Sequence, residues 1–372
     1  MPVTPPSVRY NQSIELMTAT ILSGTNPSEH SGAAAVPDFG DVRAEFQVLL
    51  SGCGLYDLSW RAKIAVTGGD RVRWLNGMVT NNVRDLATGH GVYAFMLNAQ
   101  GHIQADLYVF QRGDSLLLDT ERGQREKVLQ LFDRYIIADD VEVADVSNTL
   151  TALGLTGPES RQILERAGIA VPDLAYLQFT EIAWRQAGQD QGKTVTLLRS
   201  GEEARESWQV WIAPEHKSEV WDALVKAGAR PAGAAALNLF RISRGIPQFG
   251  VDIRERDLPQ ETGLTRALNF TKGCYLGQEI VERIRSRGAV HREFTAFVVE
   301  GALPAPGAKI AAGGNMAGGN EEKEVGEVTS AAILTLATGD RPVALGYLRR
   351  EAVGKDLRAG TAKLKPASLP IA

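Results

Sequence analysis

Hydrophobic residues recur with helical spacing at several places in the first two thirds of the chain. The segment 42–50 carries apolar side chains at positions i, i+4, i+7 and i+8, with Asp41 before it and Gly52 after it. Asp is a favoured N-cap residue and Gly a common stop signal, so this spacing predicts a helix between them. Similar patterns predict helices after Asp70, over 124–135, after Gly157-Pro158 and around 220–225.

Between these helices the hydrophobic period changes to two, which is typical of strands. Strands are predicted over 62–67, 92–97, 103–110 and 115–119, near 141–143 and in the 150s, around residues 182 and 195, and over 208–212. The turns 98–101 and 112–114 join neighbouring strands as hairpins. Antiparallel hairpins interleaved with helices predict an α+β fold rather than a parallel doubly wound sheet.

The pattern changes again after residue 290, where helical spacing stops. Segments 292–299, 324–331 and 343–349 read as strands, and the Gly- and Asn-rich stretch 311–320 reads as a hairpin tip. This part of the chain is predicted to form a small all-β barrel or sandwich. We therefore expect a mostly loop segment over 1–40, an α+β region over 41–290 and this all-β part over 291–372.

Composition narrows the classes of function. The 372 residues carry 40 Lys+Arg against 44 Asp+Glu, for a net charge of -4, so no global field favours nucleic acid. Two cysteines are too few for a disulfide framework, and the five histidines lack metal-ligand spacing, so no metal site is expected. The N-terminus does not resemble a signal peptide and no apolar run of about 18 residues occurs, which predicts a cytoplasmic protein with no membrane partner.

The segment 272–279, Lys-Gly-Cys-Tyr-Leu-Gly-Gln-Glu, contains the candidate chemistry. If a helix begins near Gln278, Cys274 lies just before its N-terminus, where the helix dipole and the Lys272 ammonium favour a thiolate. The alternative is that Cys274 is a small buried hydrophobic residue, as most free cysteines are. Cys53, between two glycines at a helix end, is predicted to serve packing.

Residues 270–283, which read F-T-K-G-C-Y-L-G-Q-E-I-V-E-R, resemble the K-G-C-Y-x-G-Q-E signature of the YgfZ family of folate-binding proteins, relatives of the glycine-cleavage T protein. Segments that resemble the family pattern follow in the expected order at 54–59, 75–82, 98–101, 157–159, 241–247 and 325–330. The resemblance implies a three-lobed aminomethyltransferase-like fold that binds tetrahydrofolate and ends in a β-barrel. It also implies a reactive Cys274, with Lys272 setting the thiolate charge and Tyr275 covering the site.

The resemblance further implies folate contacts by Tyr93, the Asn98 turn and Arg241. Cross-strand packing is the alternative for Tyr93, and an ion pair is the alternative for Arg241. In T proteins two consecutive aspartates follow the glycine turn, and the first is expected to act in the aminomethyl chemistry. Here Ala105 takes that place, and strand alternation would point Asp106 to the opposite face.

Two further departures concern the pterin contacts. Glu206 lies near the position of the T-protein pterin-binding glutamate but lacks the surrounding glycines, and Leu237 replaces a second arginine of the T proteins. Together with Ala105, these departures favour a YgfZ-type function. That function is folate-dependent support of iron-sulfur protein synthesis or repair, including tRNA-modifying enzymes, with iron-sulfur assembly or client proteins as partners.

The alternative function is a folate-dependent aminomethyltransferase of the T-protein type, so the sequence leaves open whether the chain is an enzyme. Direct RNA binding is a third class, suggested by basic residues at 241, 244, 283, 285, 287, 291 and 292. Because charge clusters on helices are commonly solvated faces, direct nucleic-acid binding is not expected.

Overall fold

A computed structural model gives the architecture of the chain. It describes residues 29–30, 33–185, 192–201, 206–288, 290–313 and 323–371. Most of the predicted N-terminal loop and the tip of the predicted hairpin at 311–320 lie outside these residues. The α-helices are α1 (Val42–Ser51), α2 (Arg71–Met78), α3 (Arg122–Tyr135), α4 (Ser160–Arg166), α5 (Lys217–Lys226), α6 (Ala234–Ser243) and α7 (Gln278–Arg287).

The strands precede, separate and follow these helices. They are β1 (Glu29–His30), β2 (Ala33–Ala34), β3 (Gly54–Asp57), β4 (Arg61–Thr67), β5 (Gly91–Leu97), β6 (Ile103–Gln111), β7 (Leu116–Glu121), β8 (Glu142–Asp145), β9 (Thr151–Thr156), β10 (Phe179–Trp184), β11 (Lys193–Arg199), β12 (Ser207–Ile212), β13 (Arg230–Pro231), β14 (Arg292–Glu300), β15 (Lys309–Gly313), β16 (Lys323–Leu336), β17 (Gly339–Arg349), β18 (Asp356–Ala359) and β19 (Ala362–Ala367).

Three larger sheets organise these strands. One has five strands in the order β5-β6-β7-β4-β8, and a second has six in the order β10-β11-β12-β9-β3-β13. The third is a closed barrel, β14-β17-β16-β15-β18-β19, which confirms the predicted C-terminal β-barrel. The short β13–β3 pair is parallel, whereas the larger pairings around it are antiparallel, so the α+β class is confirmed.

The chain forms two compact units, and each collects more than one segment. The first comprises the described residues of Met1–Leu75, Val83–Val92 and Leu107–Leu237, and the second comprises Asn76–Asn82, Tyr93–Asp106 and Asn238–Ala372. The second unit therefore holds the barrel together with α7, the last six residues of α6 and a hairpin from the first half of the chain. The predicted segment boundaries at 40 and 290 stay a prediction.

Local sequence accounts for most of the elements. Asp41 caps α1 as predicted, since its carboxylate accepts hydrogen bonds from the main-chain N–H groups of Arg43 and Ala44 at 3.0 and 3.1 Å. The tryptophans expected in the core are buried there: Trp208 and Trp221 are 0 % exposed and Trp211 is 1 % exposed. No helix in the described part of the chain is long and apolar enough to cross a membrane.

Candidate functional site

The signature segment 272–279 leads into helix α7, as the sequence predicted. Gly277 precedes the helix with a left-handed φ of 83°, and the helix begins at Gln278. The Cys274 side chain is exposed, so the alternative that it is a buried hydrophobic residue is wrong. Cys53 is 2 % exposed, and burial raises its pKa to about 11, which agrees with the packing role predicted for it.

Lys272 lies in a different environment from the one expected. Its side chain is 6 % exposed, and its ammonium donates to the main-chain oxygens of Asn76, Val79 and Asn81 at 2.5, 2.6 and 2.7 Å. An ammonium has three N–H donors, and three carbonyl oxygens accept here. These contacts show that the Lys272 ammonium holds another segment of the chain, whereas its effect on the charge of the Cys274 thiolate stays a prediction.

Tyr275 is also a buried member of the segment. Its ring lies 5.0 Å from the Lys272 ammonium, and its hydroxyl has no hydrogen-bond partner among the described residues. Burial, with a smaller effect from Glu282, raises its pKa to about 12. Tyr275 therefore stays protonated and packs against Lys272, whereas the thiol of Cys274 is the exposed group of the pair 274–275.

Gly277 brings the start of α7 against the hairpin turn 98–101. A Cβ atom at Gly277 would lie 2.5 Å from the main-chain oxygen of Asn98, and one at Gly101 would lie 2.8 Å from Ile280. The Asn98 side-chain oxygen accepts from the N–H groups of Gln100 and His102, each at 3.0 Å. The side chain predicted to contact folate thus stabilises its own turn.

Replacing Gly277 with alanine is expected to lower the free energy of unfolding by about 2–3 kcal/mol, because a Cβ atom is strained at this φ and collides with the Asn98 oxygen. Urea denaturation followed by circular dichroism measures the change. Gly273→Ala is the matched control, since nothing lies within 4 Å of a Cβ atom there and its backbone is not left-handed. Equal stability of the two variants would contradict this account.

Tyr93 and Asp106 form a hydrogen-bonded pair that is the main candidate for a binding or catalytic site in the second unit. The Tyr93 hydroxyl donates to Asp106 Oδ2 at 2.7 Å, and the Tyr93 ring is 6 % exposed. Asp106 is half-buried, whereas Ala105 beside it is 0 % exposed. Ala105 and Asp106 lie on opposite faces of β6, as strand alternation predicted, and Tyr93 lies on the side of Asp106. Asp106 therefore places a carboxylate beside Tyr93, although Ala105 replaces the first aspartate.

Two neighbours complete the surroundings of Tyr93. The guanidinium of Arg266, an exposed residue, lies 5.5 Å from the centre of the Tyr93 ring. Asn81 Nδ2 donates to the main-chain oxygens of Tyr93 and Arg266, both at 2.8 Å. Sequence reasoning did not single out Asn81, although this residue lies in the family-like segment 75–82, and it missed Arg266, which is far from Tyr93 in sequence and belongs to no recognised segment.

Arg241, another predicted folate contact, is committed to an ion pair. It donates to the carboxylate of Asp252 at 2.6 Å and to Ser330 Oγ at 3.0 Å, and Asp252 is 0 % exposed. The structure thus shows the ion pair that was considered as the alternative for Arg241. The arginine joins α6 to strand β16 of the barrel.

Glu206, the remaining predicted folate contact, is in the first unit. Its carboxylate accepts from the indole N–H of Trp208 at 2.8 Å. Part of the stretch used to identify it, 202–205, lies outside the described residues. In the same unit Leu237 borders a concavity with the aromatic residues Phe39, Tyr56 and Trp60, so the wall is apolar where an arginine was expected.

The first unit also contains a buried charged cluster that the sequence did not reveal. Asp119 is 1 % exposed and accepts from Arg61 Nε and from Lys63 Nζ, the latter at 2.7 Å. The Arg61 guanidinium lies 5.5 Å from the Trp60 ring and 5.7 Å from the Tyr108 ring. Alternation with the apolar positions 62, 64 and 66 would place Lys63 on the polar face of β4, so its burial beside an acid could not be predicted from the pattern.

The basic residues considered for RNA binding are largely paired. Arg283 pairs with Glu279 at 2.8 Å, as the i, i+4 spacing suggested, and Arg285 pairs with Glu282 at 2.9 Å. Arg292 contacts the carboxylates of Asp257 and Glu261 at 2.6 and 2.9 Å; the Arg287 side chain lies outside the described residues. Across the part of the chain that the structure describes, no group of three or more His, Cys, Asp and Glu side chains is placed to hold a metal ion.

Comparison with known proteins bears on this site. The family described as "GCVT N-terminal domain" matches residues 26–272. An aminomethyltransferase of Rubrobacter xylanophilus is 29% identical over 282 residues, which cover 75% of this chain and 74% of the relative. Aminomethyltransferases of Halothermothrix orenii and Streptomyces coelicolor are each 28% identical, with 88% of both chains covered in the first case and 89% and 90% in the second.

A solved structure supports the architecture. The glycine cleavage system aminomethyltransferase T from Bartonella henselae superposes with a TM-score of 0.80 and covers 96% of this chain and 97% of its own, at 21% sequence identity. At this identity the likeness establishes the fold. The aminomethyltransferase-like fold with a C-terminal barrel, predicted from the sequence, is confirmed.

Proposed function

Because this chain belongs to the GCVT family, we propose that it binds a reduced folate and transfers to it the one-carbon unit of an aminomethyl donor. The observation that carries the proposal is the half-buried Asp106 carboxylate held by the Tyr93 hydroxyl at 2.7 Å. The relatives from three bacteria are named aminomethyltransferases, which favours this function over the iron-sulfur role expected from the signature.

The second unit contains the types of side chain that a reduced folate requires. A folate has a flat pterin, an aminobenzoate and an anionic glutamate tail, which call for an aromatic wall, a hydrogen-bond acceptor and a cation. Tyr93 provides the ring, with the buried Phe95 packed against it at a centroid distance of 5.6 Å, Asp106 provides the acceptor, and Arg266 provides an exposed cation. We therefore assign the folate to the side of β5 and β6 that carries Tyr93 and Asp106.

The chemistry of the protein centres on Asp106. A bound tetrahydrofolate supplies nitrogen atoms that accept a one-carbon unit. The Asp106 carboxylate attracts the cationic nitrogen of a sulfur-bound aminomethyl donor, and it can take up the proton that a folate nitrogen loses when it bonds to the methylene carbon. The carbon–nitrogen and carbon–sulfur bonds of the donor break, so its amine leaves as ammonium and its sulfur as the thiol. The Tyr93 hydroxyl holds the carboxylate in one orientation, so less reorganisation is needed during the reaction.

Asp106→Asn is expected to lower aminomethyl transfer to tetrahydrofolate by roughly 100-fold or more, because the amide cannot act as the base. The assay measures formation of methylenetetrahydrofolate from a lipoyl-bound aminomethyl donor. Asp114→Asn, at an exposed hairpin turn, is the control and should retain full activity. A wild-type chain without transfer activity, or an unaffected Asp106→Asn variant, would refute the assignment.

A second candidate function is favoured by the exposed Cys274. In the K-G-C-Y-L-G-Q-E segment, Lys272 and Gly277 have structural contacts, while the thiol of Cys274 faces solvent. We propose as the alternative that the chain acts in the YgfZ manner, with folate bound and Cys274 serving iron-sulfur assembly or client proteins. One cysteine supplies one ligand at most, so a cluster would be shared with a partner.

One pair of variants separates the two functions. In a transferase, Asp106→Asn loses transfer activity and Cys274→Ala keeps it. In a YgfZ-type protein, Cys274→Ala fails to restore iron-sulfur enzyme activity in cells that lack the native protein, although it folds and binds folate as the wild type does. Full restoration by Cys274→Ala would rule out the second candidate.

A further inference from the structure

We propose that Lys272 is a positioning residue, which holds the Tyr93–Asp106 pair in place through the segment 76–81. The effect of this pair on catalysis rests on the proposed transferase function. The contacts from which the positioning role is inferred do not depend on that function. They are all within the second unit, and they link the signature segment to the carboxylate.

The first link is the buried ammonium of Lys272. It binds three main-chain oxygens, that of Asn76 in the last turn of α2 and those of Val79 and Asn81 after the helix, at distances of 2.5 to 2.7 Å. A buried carbonyl oxygen that loses its hydrogen-bond donor destabilises the folded state, because it has lost its contact with water and has no partner in its place. Lys272 therefore fixes the path of residues 76–81.

The second link is between this segment and strand β5. Asn81, whose main-chain oxygen binds Lys272, donates its side-chain amide to the main-chain oxygens of Tyr93 and Arg266. Thr80 acts in parallel: its hydroxyl accepts from the N–H of Phe95 at 2.9 Å and donates to the main-chain oxygen of Ala267 at 2.6 Å. The segment thus ties β5 to residues 266–267 at two adjacent points.

The third link is the side chain of Tyr93. Its main chain is fixed by Asn81, its ring lies beside the Arg266 guanidinium, and its hydroxyl binds Asp106. A shift of residues 76–81 would move the ring and release the carboxylate. A displacement of about 1 Å in the position of a group that acts on the substrate can lower a reaction rate roughly 100-fold.

The test is the Lys272→Met variant, which keeps most of the side-chain volume but removes the three donors. Protein labelled with 3-fluorotyrosine reports the environment of Tyr93 by ¹⁹F NMR, with Tyr93→Phe assigning the signal. We expect the Tyr93 signal to shift or broaden, and kcat for transfer to fall roughly 10- to 100-fold. KM for tetrahydrofolate should change less than kcat, since Lys272 does not touch the ligand.

The matched control is Lys365→Met in the barrel, where the lysine is exposed and pairs with Glu300. This variant should leave the Tyr93 signal and kcat unchanged. If Lys272→Met does not fold, Asn81→Ala tests the same path, because it removes only the amide that binds Tyr93 and Arg266. An unchanged Tyr93 signal in a folded variant overturns the proposal, whatever the activity. A changed signal, together with full activity of Asp106→Asn, supports the positioning and refutes the proposed transferase.

Discussion

Replacing Asp252 with alanine is expected to lower the free energy of unfolding by about 3–5 kcal/mol, the typical cost of breaking a buried ion pair. The Asp252 carboxylate is 0 % exposed and accepts from Arg241, from the N–H of Gln248 and from the hydroxyls of Thr329 and Ser330. Its removal leaves the Arg241 guanidinium without its acid. Because the network joins α6 to strand β16, we expect the barrel to detach at a lower urea concentration.

Urea denaturation followed by circular dichroism checks this expectation. The control is Glu279→Ala, which also removes a carboxylate paired with an arginine, but one on the surface of α7 with 82% of the side chain exposed. Exposed ion pairs of this kind contribute little to the free energy of unfolding, because water weakens the attraction and ordering the two side chains costs entropy. If Asp252→Ala unfolded at the same urea concentration as Glu279→Ala, the buried network would have no stabilising role.

Replacing Asp119 with alanine is also expected to lower the free energy of unfolding by about 3–5 kcal/mol. The variant leaves Arg61 and Lys63 close together without their shared acid, and the Lys63 side chain is 1 % exposed. A charge buried without a partner is costly because it has lost its hydration. Adding Lys63→Met to Asp119→Ala should therefore recover part of the loss; no recovery would contradict the argument.

The same cluster predicts a dependence on pH. Burial alone would raise the pKa of Asp119, but the charges of Arg61 and Lys63 outweigh burial and lower this pKa below its ordinary value. The contribution of Asp119 is thus complete above about pH 4, the pKa range of an unfolded aspartate, and is lost as the pH falls through the lower folded-state value. In Asp119→Ala, this part of the acid sensitivity should be absent.

Several elements could be predicted from sequence because local patterns determine them. Asp41 and Gly52 bracket α1, the period of two marks β5 to β7, and the left-handed Gly277 precedes α7. Helix α6 was not predicted by spacing, and β15, β18 and β19 were missed. Short strands carry few residues from which a period can be recognised, and their pairing in a barrel depends on distant partners.

The candidate site was only partly accessible to sequence reasoning. The signature identified 272–279 and the exposed thiol of Cys274, but it did not reveal that the Lys272 ammonium binds main-chain oxygens nearly 200 residues away. Strand alternation placed Asp106 on the opposite face from Ala105, but it did not show that Tyr93 shares that face, because what meets a strand face is decided by packing. Asn98 and Arg241 were named for a ligand, yet the turn and the ion pair occupy their polar groups.

The sequence by itself determined the fold class, the all-β character of the C-terminal part, the helix that follows the signature and the packing role of Cys53. Those features follow from local periodicity, turn chemistry and motif residues. Only the tertiary structure decided which side chains meet: Tyr93 with Asp106, Lys272 with 76–81, and Asp119 with Arg61 and Lys63. Burial and pairing of polar groups depend on long-range packing, and that is why no local pattern could reveal them.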